Sequence, residues 1–326
     1  MTVWQPSCDI AHLKLRAQVL SEIRAYFAEK SVLEVETPLL GIATGTDPQL
    51  DFFETQLQGG NAKRRSLYLQ TSPEFAMKRL LAAGSGSLYQ ICKAFRKGEV
   101  GRLHNPEFTI IEWYRVDFNL AQLMEDVIEL MHRLFALFRP LTSVQKITYQ
   151  DIFGQYTGLD ALDFDIDLYR AYARMHQLAD GVRLCGEQHS LWLDFIFSHQ
   201  VQPFLGKSSL TLVYDYPACQ AALAKIKQSD VRVAERVEFF VDGIELGNGY
   251  FELTDGTEQA RRFKQEQAFR LQQDLPSVEI DHKFLAALNA GLPSCAGIAV
   301  GLDRLLMVLN SDASLYDVLA FPMDRI

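Results

Sequence analysis

The dipeptide Asp242-Gly243 constrains the fold of this chain more than any other feature. It separates two strand-like runs, Glu238–Val241 and Ile244–Glu252. Asp-Gly in that setting favours a two-residue turn with both central residues at positive φ, whose twist suits an antiparallel hairpin. Such a turn pairs 241 with 244 and 240 with 245. The other strand-like runs are also joined tightly: Leu88–Arg96 leads through an 11-residue loop (97–107) into Phe108–Arg115. Parallel pairs need long crossovers, so the expected class is α+β. An antiparallel sheet flanked by helices is predicted, not a doubly wound one.

Helices follow from apolar spacing. Ile10, Leu13, Ala17, Leu20, Ile23 and Phe27 recur at helical intervals across 9–30, with Asp9 placed as a cap. Further helices are predicted from Pro73 to about Ala83, over 120–138 and over 258–274. The last carries enough charge to be expected on the surface. Val32–Thr37 alternates and breaks at Pro38, as a short strand would. Residues 237–254 form the hairpin, and 295–310 read as a small-residue strand running into a helix. The stretch 150–235 carries few chemical signals and is expected to be an insertion within a single domain spanning 1–326. No repeat or low-complexity linker divides the chain.

Bulk properties narrow the partners. The formal net charge is −9, and the longest basic run is Lys63-Arg64-Arg65, read as a solvated loop. Broad nucleic-acid binding relies on many phosphate contacts and normally shows a basic face, so it is not expected. The five cysteines are scattered, odd in number and free of CxxC spacing, which argues against a disulfide framework or zinc site and suits a reducing cytoplasm. The start, Met1-Thr2-Val3-Trp4, lacks a signal-peptide pattern, and no apolar run approaches the ~20 residues of a membrane span.

Three constellations carry chemistry. In the first, Phe95-Arg96 precedes a loop with Lys97, Gly98, Glu99, Gly101, Arg102, His104 and Asn105, followed by a strand on which Phe108, Ile110, Glu112 and Tyr114 share one face. That polar face either meets solvent or meets a ligand, and the flexible, cationic loop favours phosphate. In the second, the hairpin sets Glu238 and Glu245 as diagonal neighbours, ~7–8 Å apart at the backbone. Either a cation such as magnesium lies between them, or two long side chains relax into solvent. Asn248, Tyr250 and Glu252 have the opposite parity, and a bulge at Gly247 or Gly249 would bring both sets to one face. In the third, Gly297, Ala299 and Gly301 leave one strand face nearly bare, while Ile298 and Val300 face a core. Arg304 follows in the first turn of a helix, where a cation is unfavourable unless something anionic answers it. A ligand or close strand–helix packing would each explain it.

Together these motifs resemble motifs 2 and 3 of the class II aminoacyl-tRNA synthetases and the acidic hairpin between them. Val32–Pro38 is similar to motif 1, the dimer-forming element. His104-Asn105-Pro106-Glu107-Phe108, followed by Glu112 and Tyr114, resembles the lysyl type. The resemblance implies that Arg96 holds the ATP α-phosphate and the amino-acid carboxylate as the catalytic residue. It implies that Phe108 and Arg304 sandwich adenine, that Glu99, His104, Asn105, Leu246 and Gly301 line the nucleotide, and that Glu238 and Glu245 bind Mg2+. Ser72, Pro73, Glu74, Asn248, Tyr250, Glu252 and Ala299 would frame the amino acid, with Glu112 and Tyr114 receiving its side-chain ammonium. Lys97-Gly98-Glu99 departs from the family's Asn-Glu after the motif 2 arginine, displacing the acidic residue by one.

The helix of motif 1 begins near residue 9, which leaves no room for an anticodon-binding domain before it. The resemblance is therefore drawn to free-standing lysyl-synthetase paralogues that use ATP to attach β-lysine to a lysine of elongation factor P. Ala299, where lysyl-tRNA synthetases have glycine, points the same way. A cytoplasmic homodimer with elongation factor P as acceptor is expected, and neither tRNA nor a membrane as partner. The competing expectations are a truncated enzyme that transfers α-lysine to tRNA or another acceptor, and an inactive synthetase-like regulatory module.

Overall fold

Asp9 caps the first helix, its side chain accepting the His12 amide at 2.9 Å, so the capping residue sets where helical phasing begins. A computed structural model describes residues 4–57 and 65–326. Met1–Val3 and the Lys63-Arg64 part of the basic run lie outside the described residues. In chain order the elements are α1 (Ile10–Glu29), β1 (Leu33–Glu34), β2 (Leu40–Gly41), β3 (Glu54–Leu57), β4 (Arg65–Leu69), α2 (Glu74–Ala82), β5 (Leu88–Phe95) and β6 (Glu107–Val116). Then follow α3 (Leu120–Ala136), β7 (Val144–Thr148), α4 (Tyr149–Thr157), α5 (Ile166–Met175), α6 (Asp180–Leu184), α7 (His189–Ile196), β8 (Leu210–Pro217), β9 (Val233–Val241) and β10 (Ile244–Phe251). The chain ends with α8 (Gly256–Gln272), α9 (His282–Gly291), β11 (Cys295–Gly301), α10 (Leu302–Asn310) and α11 (Leu315–Val318).

The chain forms two compact units, one of residues 1–118 with 253–326 and one of residues 119–252. In the first, β1 pairs parallel with β5, β5 antiparallel with β6, and β6 antiparallel with β11. A separate small sheet has the order β2-β4-β3. Phe27 of α1 stacks on Tyr89 of β5 at 4.4 Å between centroids and tilts against Trp113 of β6 at 5.4 Å. This aromatic cluster anchors the outer side of β5 and β6 on α1 and leaves Glu112 and Tyr114, of opposite parity to Trp113, for the other side.

In the second unit β10, β9 and β8 run antiparallel in sequence, and β7 adds parallel to β8. The stretch 150–235 is more organised than an insertion with few signals suggests. Its helices α4 to α7 bury Phe153, Tyr169, Trp192 and Ile196 in a core shared with Tyr149, Val213 and Tyr216.

Three elements differ from the sequence reading. The 32–38 strand shortens to Leu33–Glu34, with one further bond from the Val35 amide to Tyr89 O at 2.9 Å before Pro38 ends donation. β9 begins earlier, at Val233. The charged helix α8 is not merely superficial: it buries Gln259, Arg262, Phe263 and Arg270. Arg270 donates to the carbonyls of Pro276 at 3.0 Å, Asp47 at 2.8 Å and Leu50 at 3.2 Å, which is how its guanidinium is accommodated out of water.

Candidate active site

In the first unit, the β5–β6 connection carries the phosphate-type residues. Gly98 sits at φ 83°, which lets the chain turn sharply after Arg96. Gly101 and His104 then bridge antiparallel, with reciprocal backbone bonds of 3.0 and 3.2 Å. Arg96 lies with its guanidinium carbon 5.2 Å from the Phe108 ring centroid, and Nη1 is 3.6 Å from Glu99. Its Nε is buried without a protein partner, a donor that an incoming phosphate or carboxylate oxygen would satisfy. The displaced acidic residue, Glu99, thus still reaches the motif 2 arginine.

Arg304, at the start of α10, donates through Nε to Leu103 O at 3.1 Å and through Nη2 to His104 Nε2 at 2.7 Å. A guanidinium only donates, so His104 Nε2 accepts and the ring proton lies on Nδ1. Arg96 overlies Phe108 here. Asn105 is tied into the frame: its Oδ1 accepts the Met323 amide at 3.0 Å and its Nδ2 donates to Glu107 O at 2.6 Å. Gly301 is the N-cap of α10.

The amino-acid residues of the first unit converge on Glu112. Its side of β6 does not face solvent: Glu112 and Tyr114 are each 2% exposed. Ser72 Oγ donates to Glu112 Oε2 at 2.8 Å, and the Tyr114 hydroxyl donates to Oε1. Burial pushes the Glu112 carboxyl up to about 7, with the Glu74 charge adding to the rise and the two hydroxyls and Lys78 opposing it. Pro73 is the N-cap of α2, and the Glu74 amide donates to Ser72 Oγ at 3.0 Å, so one turn orients both side chains. Ala299 of β11 is the cross-strand partner of Glu112.

In the second unit the hairpin has the predicted register: 244 pairs with 241 and 245 with 240, through Asp242 (φ 52°) and Gly243 (φ 77°). The register shifts between Glu245 and Gly247, so the extra residue is Leu246, one position before the expected glycine. Leu246 turns inward, 2% exposed, while Asn248 comes opposite Glu238. The bulge thereby aligns Glu245, Asn248 and Tyr250, and Asn248 Nδ2 donates to the Tyr250 hydroxyl at 3.0 Å. Glu252 is buried and bridges to Ala224.

Glu238 is not a relaxed surface glutamate. Tyr216 donates to its Oε2 at 2.7 Å and Arg236 Nη2 donates to Oε1. Burial pushes its carboxyl up to about 7, Arg236 lowers it, and Glu245 raises it again. Two carboxylates close enough to repel, each with hard oxygen donors, fit a magnesium ion shared with phosphates.

Two functional-type residues escaped the sequence reading, Lys78 and Arg236. Each had a spacing signal: Lys78 lies four residues after Glu74 on one helix face, and Arg236 two residues before Glu238 on one strand face. Arg236 also donates to Asn248 Oδ1 at 3.2 Å and Gln220 O at 2.7 Å, with its guanidinium 4.6 Å from the Tyr216 ring centroid.

Antiparallel strands carrying a loop with Arg96 and Arg102 at its two halves, an acidic hairpin and a small-residue strand entering an arginine-bearing helix define the class II synthetase catalytic fold. Residues 9–325 match the family of class II tRNA synthetases (D, K and N), and the chain belongs to it. Among curated proteins it is similar to the elongation factor P–(R)-β-lysine ligases of Salmonella paratyphi B, Salmonella dublin and Salmonella heidelberg. Each is 44% identical over 323 residues, covering 99% of this chain and 98% of the relative.

Proposed function

We propose that this chain is a ligase that activates (R)-β-lysine with ATP and transfers it to a lysine side chain of elongation factor P. The observation that carries the reading is the buried Glu112 with its Ser72 and Tyr114 hydroxyls. A carboxylate desolvated to that degree beside a second one, Glu74, carries more negative charge than two hydroxyls and Lys78 answer, and a substrate ammonium is the partner that offsets its burial. The names of the similar ligases supply the isomer and the acceptor. Residues 9–325, matched by one family, are read as one catalytic domain.

In the first step an oxygen of the amino-acid carboxylate attacks the α-phosphorus, and pyrophosphate departs as its bond to that phosphorus breaks. Arg96 binds the carboxylate and the α-phosphate and stabilises charge on the phosphoryl oxygens. Phe108 and Arg304 hold adenine, with Glu99, His104, Asn105, Leu246 and Gly301 around the nucleotide. Glu238 and Glu245 would hold Mg2+, which supplies neutralisation of phosphate charge. Ser72, Pro73, Glu74, Asn248, Tyr250 and Glu252 frame the amino acid, and Glu112 with Tyr114 takes the terminal ammonium. In the second step the uncharged amine of the acceptor lysine attacks the adenylate carbonyl, AMP leaves, and the amine nitrogen loses a proton. A homodimer working in the cytoplasm completes the reading. No helix among the described residues is long and apolar enough to cross a membrane.

Incubation with elongation factor P, ATP and each lysine isomer, read by intact mass, tests the proposal. One added lysyl unit, formed more efficiently from β-lysine, is expected. Charging of tRNA with no mass gain on elongation factor P overturns it.

A further inference from the structure

Lys78 of α2 is buried to 1% exposure, and nothing in the reaction described above uses it. Its Nζ lies 2.6 Å from Glu74 Oε1, 5.9 Å from the Tyr114 ring centroid and 5.8 Å from that of Phe284. Three elements, α2, β6 and α9, therefore enclose one ammonium beside the two carboxylates of the amino-acid pocket. A lysine on a helix can normally keep its charge in water by extending its stem along the surface. Here the charge itself is taken inside, which is unfavourable unless carboxylates answer it. The groups facing Glu112 are Glu74 and Lys78 from α2, Ser72 before it, Tyr114 on β6, Gln90 and Cys92 on β5, and Ala299 on β11. The cation among these is Lys78.

We propose that Lys78 is the built-in counter-ion of the amino-acid pocket, a positioning residue that aims Glu74 and offsets one of the two negative charges, Glu74 and Glu112, that it lies beside. The substrate class follows, resting on the amino-acid reading above: a side chain bringing a positive charge answers the Glu112 charge that Lys78, held by Glu74, leaves over. Without Lys78 two desolvated carboxylates face each other, and one of them must hold a proton that an arriving ammonium has to displace. Lys78 also restricts the ways Glu74 can turn, since the pair is one helical turn apart and enclosed by Tyr114 and Phe284.

The test combines a ligand-free titration with kinetics. Glutamate carboxyl 13C resonances are followed against pH in the wild type, Lys78→Met, Lys78→Arg and the charge-balanced Lys78→Met/Glu74→Gln variant. The Glu112 midpoint is expected to rise by about one pH unit or more in Lys78→Met and to return toward the wild-type value in the other two. In pyrophosphate exchange at pH 7, Lys78→Met should raise the KM for the lysine isomer about tenfold or more, with the KM for ATP within about twofold. A folded Lys78→Met protein with an unmoved Glu112 midpoint overturns the proposal. Should that variant not fold, a double-variant midpoint displaced downward by a unit overturns it equally, since that is the shift expected when the Glu74 charge alone had been acting on Glu112. If the midpoints move as stated but no lysine isomer supports exchange in the wild type, the counter-ion stands and the activation reading fails.

Discussion

On the proposed reading, the methyl of Ala299 is the little material that separates two substrates. It stands directly across β11 and β6 from Glu112, in a pocket whose floor is otherwise glycine on that strand face. β-Lysine keeps the carboxylate and terminal ammonium of α-lysine, but its second amine sits one carbon further along. A methyl at 299 would then take space that an α-amine needs, and one methyl in a tight pocket is worth ~1–3 kcal/mol. Ala299→Gly is therefore expected to raise kcat/KM for α-lysine relative to β-lysine by about tenfold in pyrophosphate exchange. An unchanged ratio would remove the methyl from the account. At this scale Arg96, Glu112, Glu238 and Arg304 stand out in the sequence as candidates because their residue types and spacing match a chemistry. Lys78 and Arg236 were not, because a charged residue in a sequence reads as solvated, and only the tertiary packing takes these two out of water.

The hairpin and the helix α8 mark the limits of legibility at the scale of elements. Asp242-Gly243 determined turn and register through local conformational preference alone, so it was readable. The bulge fell on Leu246 because burying an apolar side chain decided which residue is extra. Gly247 and Gly249 are not among the glycines at positive φ, so their conformational freedom is not what the bulge uses. Helix α8 has charge all along its length, and what it buries depends on the 44–50 segment that no local pattern reveals. Glu266 accepts the Thr46 hydroxyl there, and burial pushes its carboxyl up to about 7, with Asp47 adding to the rise and Arg262 and Arg270 opposing it. A carboxyl raised in the folded state keeps its proton when the unfolded chain has lost it. Its contribution to stability is present below about pH 4.5 and is lost as pH rises through about 7. Glu266→Gln keeps an acceptor for Thr46 without the ionisation. Denaturant unfolding should find that variant more stable than the wild type by about 1–3 kcal/mol at pH 8 and nearly equal at pH 4.5. A variant less stable at pH 8 would mean that attraction to the two arginines outweighs desolvation.

For the whole molecule, charge and apolar surface pull in opposite directions. Each copy carries a formal −9, so two copies repel at long range and association must draw on buried apolar area. The region around the motif 1-like segment offers it: Leu33, Leu39, Leu40 and Ile42 are 52%, 39%, 46% and 36% exposed within ten residues. Leu33 belongs to β1, the two-residue strand at one end of its sheet, where unpaired backbone groups add to the tendency to associate. Exposed apolar residues grouped in this way mark an interaction surface more often than a solvated one. With a second copy as occupant, sedimentation velocity at micromolar concentration should show a dimer. Leu33→Glu/Leu40→Glu should give a monomer with an unchanged far-ultraviolet spectrum, since both side chains already face outward. Salt distinguishes this interface from one held by ion pairs. Screening relieves the repulsion between two acidic copies, so the dimer should tighten as salt is raised from ~0.01 M to ~0.15 M, where the Debye length shrinks from ~30 to ~8 Å. A wild-type protein that sediments as a monomer throughout that range would rule out the dimer, and one that dissociates with added salt would place ion pairs rather than leucines at the interface.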